Sequence, residues 1–151
     1  MLDDTDRRIL RQLQADPSLS GAELAERAGV TSATCWRRLE RLRERGVLRG
    51  ARAVIDWRAL GYAVEVSLRV TLDKTVPRAF DEFAAEARQI PEVLEIQTFL
   101  GQVDVRLGLI ARDLEHYQAL YRDRILTLPH ITDLEALMHV ARIKTDETVP
   151  L

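Results

Sequence analysis

The organisation of the first half of the chain follows from GVTSATCWRRLERLRERGVLRGAR, residues 29–52. This segment holds seven arginines, two glutamates and no lysine, although the whole chain has a net charge of −2. Thr31 or Ser32 can cap a helix at its start, and Gly46 can end that helix. Positive charge is therefore concentrated on one predicted helix and the residues that follow it.

The predicted helix has an apolar side and a basic side. Its apolar residues recur at helical spacing and are expected to face a core: Cys35, Leu39 and Leu42. Its arginines form a second stripe that is expected to face outward: Arg37, Arg41 and Arg45. A basic stripe on an acidic protein predicts contact with a polyanion. Glu40 and Glu44 could instead pair with these arginines and leave only a solvated face.

Two shorter helices are predicted before this one. Asp3 can cap the first, while Ser20 and Glu23 have the spacing of a capping box for the second, which stops at Gly29. Short capped helices joined by a tight turn, the last with a basic outer side, are typical of a helix-turn-helix. The following VLRGARAVIDW, residues 47–57, predicts a two-stranded wing because it contains β-branched residues and a turn glycine.

The second half of the chain has a β-α-β-β-α-β pattern. The predicted elements are a strand over 63–73, a helix between Pro77 and Pro91 with Phe80 on its apolar side, strands over 93–100 and 103–110 joined by a tight glycine turn, a helix capped by Asp113 with Leu114 on its apolar side, and a strand over 132–144. This order predicts a ferredoxin-like α+β domain with both helices on one side of the sheet. Leu137 and Ile143 are expected on the uncovered side, which predicts a homodimer.

Charge also divides the chain. Residues 1–60 carry 12 arginines against nine acids, whereas residues 61–151 carry ten basic residues against 15 acids. This asymmetry predicts two domains with different partners. We expect a winged helix-turn-helix over 1–60 and a ferredoxin-like domain for effector binding and oligomerisation over 61–151.

Several classes of protein are not expected. No apolar run approaches the ~20 residues of a transmembrane helix, and the acidic N-terminal segment is unlike a secretory signal, which predicts a cytoplasmic protein. Cys35 is the single cysteine, so a multi-cysteine metal site is not expected. His116, His130 and His139 lack metal-ligand spacing, and no catalytic motif occurs. We therefore expect no enzyme activity, cofactor or metal.

Four segments, in this order, resemble landmarks of the Lrp/AsnC (feast/famine) transcriptional regulators. They are LDDTDRRIL at 2–10, ELAERAGVTSATCWRRLERLRERGVL at 23–48, PEVLEIQTFLGQVDV at 91–105 and LPHI at 128–131. The resemblance covers nearly the whole chain. It implies a DNA-binding domain followed by a domain that binds an amino-acid effector and forms dimers, which often assemble further into tetramers, octamers or rings.

The resemblance also implies an effector site at a G-x-x-D loop, here Gly101 to Asp104. From the residues alone this loop is a hairpin turn in which glycine supplies a positive φ and the aspartate is solvated. In the family the loop lines a pocket between subunits, and the implied residues are Thr98, Gly101, Gln102, Asp104, Leu137, Met138 and His139. Val105 and His139 depart from the usual aromatic and apolar residues. His139 could favour an acidic or polar ligand, or make binding pH-dependent.

Residues near the start of the basic helix are expected to meet base edges in double-stranded DNA: Ser32, Ala33, Thr34, Trp36 and Arg37. Other arginines are expected to meet phosphates: Arg38, Arg41, Arg45 and Arg49. We therefore expect a sequence-specific transcriptional regulator. Two alternatives are a sequence-tolerant architectural DNA-binding protein with little effector response and, less favoured, a metabolic enzyme on the ferredoxin-like half.

Overall fold

The computed structural model describes residues 2–144 and 148–151, which form two compact units. The first unit combines the residues up to Val54 with Lys144 and the final residues 148–151. The second runs from Ile55 to Ile143. The first compact unit thus ends its main segment at Val54, and the domain boundary at residue 60 stays a prediction. The final residues group with the first unit because they hydrogen-bond to its first helix.

The first unit is built from three capped helices: α1 (Asp4–Ala15), α2 (Gly21–Ala28) and α3 (Ser32–Glu44). Asp3 and Ser20 each form a capping box, and Thr31, rather than Ser32, caps α3. The turn between α2 and α3 passes through Gly29, whose φ of 67° is readily adopted only by glycine. The predicted helix-turn-helix is confirmed.

A small core joins these helices. Its buried side chains are Ile9, Leu24, Ala25, Ala28, Cys35 and Leu39. Leu42 on α3 is also fully buried. The predicted inward side of α3 is therefore confirmed, and with it the rotation of the helix that decides which residues can reach a ligand.

The two strands predicted over residues 47–57 do not form. Every residue of this described segment lies outside a strand, and Val54 is 91% exposed. The segment contains β-branched residues, but a strand requires a neighbouring strand to pair with, and this chain supplies none here. The wing strands are therefore the part of the first domain that the sequence predicted wrongly.

The second unit is a four-stranded antiparallel sheet with two helices. Its elements are β1 (Val64–Leu72), α4 (Ala79–Ala87), β2 (Val93–Thr98), β3 (Val105–Ala111), α5 (Leu114–Leu120), which continues into a π-helical turn (Tyr121–Ile125), and β4 (Ile131–Met138). The sheet order is β2-β3-β1-β4, with antiparallel pairing throughout. The predicted ferredoxin-like α+β fold is confirmed.

Both helices pack on one side of the sheet. Alternate residues of β1 and β3 meet Phe83 of α4 and Leu120 of α5 in one core. Phe80 and Leu114, predicted to be in this core, are 42% and 52% exposed. The core side of α4 is formed by Ala79, Phe83, Ala84 and Ala87. Helical spacing puts Phe80 on the same side of α4 as Ala84 and Ala87, but Phe80 is in the first turn of the helix and lines a cavity instead of the core.

The uncovered side of the sheet carries ion pairs between neighbouring strands. Arg69 of β1 pairs with Glu135 of β4 at 3.4 Å, and Arg106 of β3 pairs with a β2 carboxylate at 2.8 Å. Strand β4 ends at Met138, so Ile143 lies beyond the sheet and is 95% exposed. Leu137, which pairs with Ser67 of β1, does lie on this side, so the prediction is right for Leu137 and wrong for Ile143, and ion pairs share that side with Leu137.

Candidate DNA-binding surface and effector site

The solvent side of α3 carries most of the residues predicted to meet DNA. Trp36 is 65% exposed. The other exposed residues of this set are Ser32, Ala33, Arg37, Arg41, Arg45 and Arg49. Thr34 is half-buried, and its hydroxyl accepts a hydrogen bond from Thr31 at 3.0 Å. The start of α3 thus presents an aromatic ring and a guanidinium to solvent side by side.

Two arginines of α3 form ion pairs with carboxylates at the start of α1. Arg38 donates to Asp6 at 3.1 Å and also contacts Asp3. Arg41 donates to both carboxylate oxygens of Asp6, at 3.0 and 2.9 Å. Asp6 is fully buried. The guanidinium groups of Arg38 and Arg41 therefore join α3 to α1, although Arg41 is exposed as predicted.

These carboxylates are held in their charged form. The hydrogen bond from Arg38 is the largest cause that lowers the pKa of Asp3 to about 2. Burial of Asp6 alone would raise its pKa, but hydrogen bonds from Arg38 and from the Asp3 backbone outweigh burial, so the pKa of Asp6 is also lowered. At neutral pH the cluster therefore contains two anions and two cations and adds no net charge to the surface.

The sequence contained a signal for this cluster. Asp3 and Asp6 are three residues apart at the start of α1, and Arg38 and Arg41 are three residues apart on α3. Residues at that spacing lie on one side of a helix, so the two pairs can face each other. Arg43 pairs with Glu40, so the exposed arginines of residues 32–52 without a carboxylate partner among the described residues are Arg37, Arg45, Arg49 and Arg52.

The loop that resembles the effector motif is longer than a tight turn. Strand β2 ends at Thr98 and β3 begins at Val105, so residues 99–104 connect them. The Phe99 N–H donates to the Asp104 carbonyl at 3.0 Å and closes the loop. Gly101 has no positive φ, and a Cβ added there would meet nothing within 4 Å. The predicted glycine turn is therefore wrong.

Asp104 is fixed by the backbone of β1. Its N–H donates to the Val70 carbonyl at 3.0 Å, and its Oδ2 accepts from the Leu72 N–H at 2.9 Å. Its Oδ1 lies 3.7 Å from the Lys74 ammonium. One carboxylate oxygen is thus used by the fold, and the other faces a cation at the surface. The aspartate is positioned rather than merely solvated.

A cavity of about 420 Å³ lies beside Asp104. Its apolar lining is Leu72, Val76, Pro77, Ala79, Phe80, Phe99 and Leu100, and its polar lining is Asp73, Lys74, Thr98 and Asp104. Among the predicted effector residues, Thr98 and Asp104 are therefore brought together. Gly101 and Gln102 lie on the adjacent loop outside the lining, where the Gln102 carbonyl accepts from Thr71 at 3.1 Å.

The remaining predicted effector residues lie at the other end of the sheet. Met138 is paired with Val66, whereas Asp104 bonds to Val70 and Leu72. These positions on β1 are four to six residues apart, which corresponds to roughly 13–20 Å. Leu137, Met138 and His139 therefore do not line the same cavity as Asp104 within one chain.

His139 lies beside Glu65 of β1. Its N–H donates to the Glu65 carbonyl at 2.9 Å, and its Nδ1 lies 3.5 Å from the Glu65 carboxylate, which Arg142 also binds. Within the chain His139 thus has no access to the cavity beside Asp104. The predicted influence of His139 on ligand charge finds no support in this arrangement.

Sequence reasoning missed the β1–α4 connection, which supplies Lys74 and Val76 to the cavity. A signal was present, because antiparallel pairing of β1 with β3 places the end of β1 beside the start of β3. Within the described ranges no cluster of three or more His, Cys, Asp or Glu side chains could hold a metal. No helix of those ranges is long and apolar enough to cross a membrane.

Comparison with known families matches both units of the chain. Residues 2–49 match a winged helix-turn-helix DNA-binding family, and residues 65–149 match the Lrp/AsnC ligand binding domain. The chain belongs to the Lrp/AsnC family. The exposed side of α3 is thus part of a known type of DNA-binding domain, and the cavity beside Asp104 lies in a known type of ligand-binding domain.

Lrp/AsnC relatives match along almost their entire length. The HTH-type transcriptional regulator Zrp of Zymomonas mobilis is 31% identical over 150 residues, covering 99% of this chain and 97% of Zrp. The leucine-responsive regulatory protein of Rhizobium meliloti is 32% identical over 143 residues, covering 95% and 92% of the two chains. These relatives are transcriptional regulators, which agrees with a protein that is not an enzyme.

Solved Lrp/AsnC structures share the fold. A transcriptional regulator from Neisseria meningitidis in complex with L-Met has a TM-score of 0.91 at 29% identity, covering 99% of this chain and 97% of that one. AsnC of E. coli has a TM-score of 0.90 at 25% identity, covering 99% of both chains. The helix-turn-helix and the four-stranded sheet domain of this chain therefore have the folds of these regulators.

Proposed function

We propose that this Lrp/AsnC regulator binds specific DNA sequences through α3 and that an amino acid with an apolar side chain modulates this binding. The observation that carries the proposal is the combination of an exposed basic helix start with a cavity that places one fixed carboxylate among apolar side chains. The exposed helix start fits DNA, which offers anionic phosphates and hydrogen-bonding base edges. The cavity fits a small zwitterion such as an amino acid.

The exposed residues of α3 divide into two roles. Trp36 and Arg37 lie near the helix start, together with Ser32, Ala33 and Thr34, where a recognition helix meets base edges. Arg45 and Arg49 lie at its far end and beyond, where they can neutralise phosphates. Sequence discrimination should therefore depend mainly on the first group and overall affinity on the second.

Arg38 and Arg41 take a different role from the one their spacing predicted. Both are bound by the α1 carboxylates, so a phosphate would have to compete with Asp6 for them. Separating either guanidinium from a fully buried carboxylate leaves that carboxylate with fewer partners, which is costly. We assign them to positioning α3 on α1, with Arg41, whose side chain is 45% exposed, the better placed of the two to reach DNA as well.

The cavity favours an apolar amino acid over an acidic one. Asp104 Oδ1, which accepts no backbone hydrogen bond and faces Lys74, suits an α-ammonium, while Lys74 suits an α-carboxylate. The side chain of the ligand would then lie against Phe80 and Val76. The L-Met complex of the Neisseria meningitidis regulator supports an effector of this class.

A second copy of the chain would complete the effector site. Asp104 and the group formed by Leu137, Met138 and His139 lie at opposite ends of β1, so a partner is needed to bring one against the other. Phe99 and Leu100 of the loop are exposed beside the cavity, by 47% and 107%, and apolar side chains of this size favour a protein partner. We therefore propose at least a homodimer. The mass in solution distinguishes a dimer from a tetramer or an octamer.

Calorimetric titration tests the effector proposal. The wild-type chain should bind L-methionine or L-leucine more tightly than L-glutamate, and its mass in solution should be at least twice the 17.2 kDa of one chain. Asp104→Asn keeps an acceptor for the Leu72 N–H but loses the charge, so affinity should fall about tenfold or more. Asp133→Asn, on exposed β4, is the matched control. Equal affinities of wild type and Asp104→Asn would contradict the assignment.

A further inference from the structure

The end of the described chain lies along α1 and is held through its main chain. The Gln14 side-chain amide donates to the Val149 carbonyl at 3.2 Å and accepts from the Val149 N–H at 2.7 Å. Arg11, one helical turn earlier, donates to the Leu151 carbonyl at 2.9 Å. One side of α1 thus presents a matched donor and acceptor, followed by a guanidinium, to an extended segment.

This pattern recognises backbone rather than side chains. A glutamine amide pairs with the N–H and C=O of one residue as a neighbouring strand would, using both of its polar atoms. The Val149 side chain is 56% exposed and contributes little to the contact. The docking surface on α1 is therefore defined by Gln14 and Arg11, and its occupant is residues 148–151 of the same chain.

Residues 148–151 follow the ligand-binding unit in the sequence but belong to the first unit. The chain enters the ligand-binding unit at Ile55 and returns to the first unit at Lys144, so the two units are covalently connected twice. The second connection ends on α1. At its other end, α1 holds α3 through the ion pairs of Asp3 and Asp6 described above. Helix α1 therefore contacts both the returning segment and the helix that carries the DNA-binding residues.

We propose that residues 148–151 form a strap that docks on α1 through Gln14 and stabilises the last turn of that helix. This inference goes beyond the proposed DNA and effector binding and depends on neither, because its contacts join two segments of the same unit.

Hydrogen exchange of the full chain tests the strap directly. The Val149 amide should be protected in the wild type and should exchange about tenfold or more faster in Gln14→Ala, which removes both Gln14 hydrogen bonds. Alanine favours helix more than glutamine, so faster exchange cannot come from a weakened α1. Gln12→Ala is the matched control, since no side-chain hydrogen bond of Gln12 occurs among the described residues.

A second pair of variants examines the same contact from the other side. Val149→Pro removes the N–H that Gln14 accepts, whereas Val149→Ala keeps it. Amides in the last turn of α1 should exchange several-fold faster in the proline variant and at the wild-type rate in the alanine variant. An unprotected Val149 amide in the wild type, or equal effects of Gln14→Ala and Gln12→Ala, would overturn the proposal.

Discussion

Asp6 shows how one buried side chain changes the meaning of a charge pattern. A stripe of arginines on a surface helix is a sound reason to expect a nucleic-acid ligand. Here Asp6, from another helix, binds Arg38 and Arg41. The DNA proposal consequently depends most on Arg37 and Arg45, which are exposed on α3 and its end and have no carboxylate partner among the described residues.

The Asp6 cluster makes the stability of the first unit pH-dependent. Because the folded pKa values of Asp3 and Asp6 are lowered, with Asp3 at about 2, their stabilising effect is complete above an unfolded pKa of about 4 and is lost as the pH falls towards 2. Asp6→Asn should be less stable than wild type by on the order of 1 kcal/mol at pH 6. The difference should disappear near pH 2.

Urea unfolding followed by Trp36 fluorescence, in a Trp57→Phe background, measures this difference. Asp4→Asn provides the control, because Asp4 is exposed in the same helical turn and faces no arginine of α3. A constant gap between wild type and Asp6→Asn from pH 6 to pH 2 would show that the ionised cluster does not stabilise the fold.

Arg37 and Arg45 should have separable effects on DNA binding. Arg37→Ala should reduce the preference for specific over random DNA by about 1–3 kcal/mol, since a base-edge contact is lost. Arg45→Ala should weaken binding to both DNAs alike and lower the salt slope by about one unit, since a phosphate contact is lost. Fluorescence anisotropy at several salt concentrations measures both quantities. Equal changes in both variants would refute the division of roles.

The elements differ in how far local sequence determines them. Capping residues and Gly29 act within a few positions, so the starts of α1 and α2 and the turn into α3 could be predicted from sequence. The wing strands and the β2–β3 turn could not, because strand pairing depends on partners far along the chain or in another molecule. Phe80 was misplaced because spacing alone does not show that the first turn of α4 borders a cavity instead of the core.

Two glycines should respond differently to substitution. Gly29→Ala forces alanine into a φ of 67° and should destabilise the first unit by about 1 kcal/mol. Gly101→Ala should leave the stability of the second unit unchanged, because Gly101 has no positive φ and open space where a Cβ would be. Thermal unfolding of the two variants beside wild type gives the comparison. A destabilised Gly101→Ala would mean that the loop is more constrained than its geometry indicates.

At the scale of the whole molecule, the effector residues implied by the resemblance divide into two groups, of which only one lines the cavity beside Asp104. Resemblance implied Asp104 and Thr98, and both line the cavity. It also implied Met138 and His139, which lie roughly 13–20 Å away along β1 in the same chain. A linear motif contains no information on whether its parts meet within one copy or between two, so this separation could not be predicted from residue spacing alone.

The central claim is that a small apolar amino acid alters the binding of this protein to specific DNA. The most direct test is a mobility-shift titration with DNA from upstream of its own gene and with random DNA at matched salt, each with and without L-methionine, L-leucine or L-glutamate. We predict preferential binding to the upstream DNA and a change in its apparent affinity with an apolar amino acid but not with L-glutamate. Equal binding to both DNAs, unaltered by any amino acid, would contradict the claim and favour a sequence-tolerant architectural DNA-binding protein.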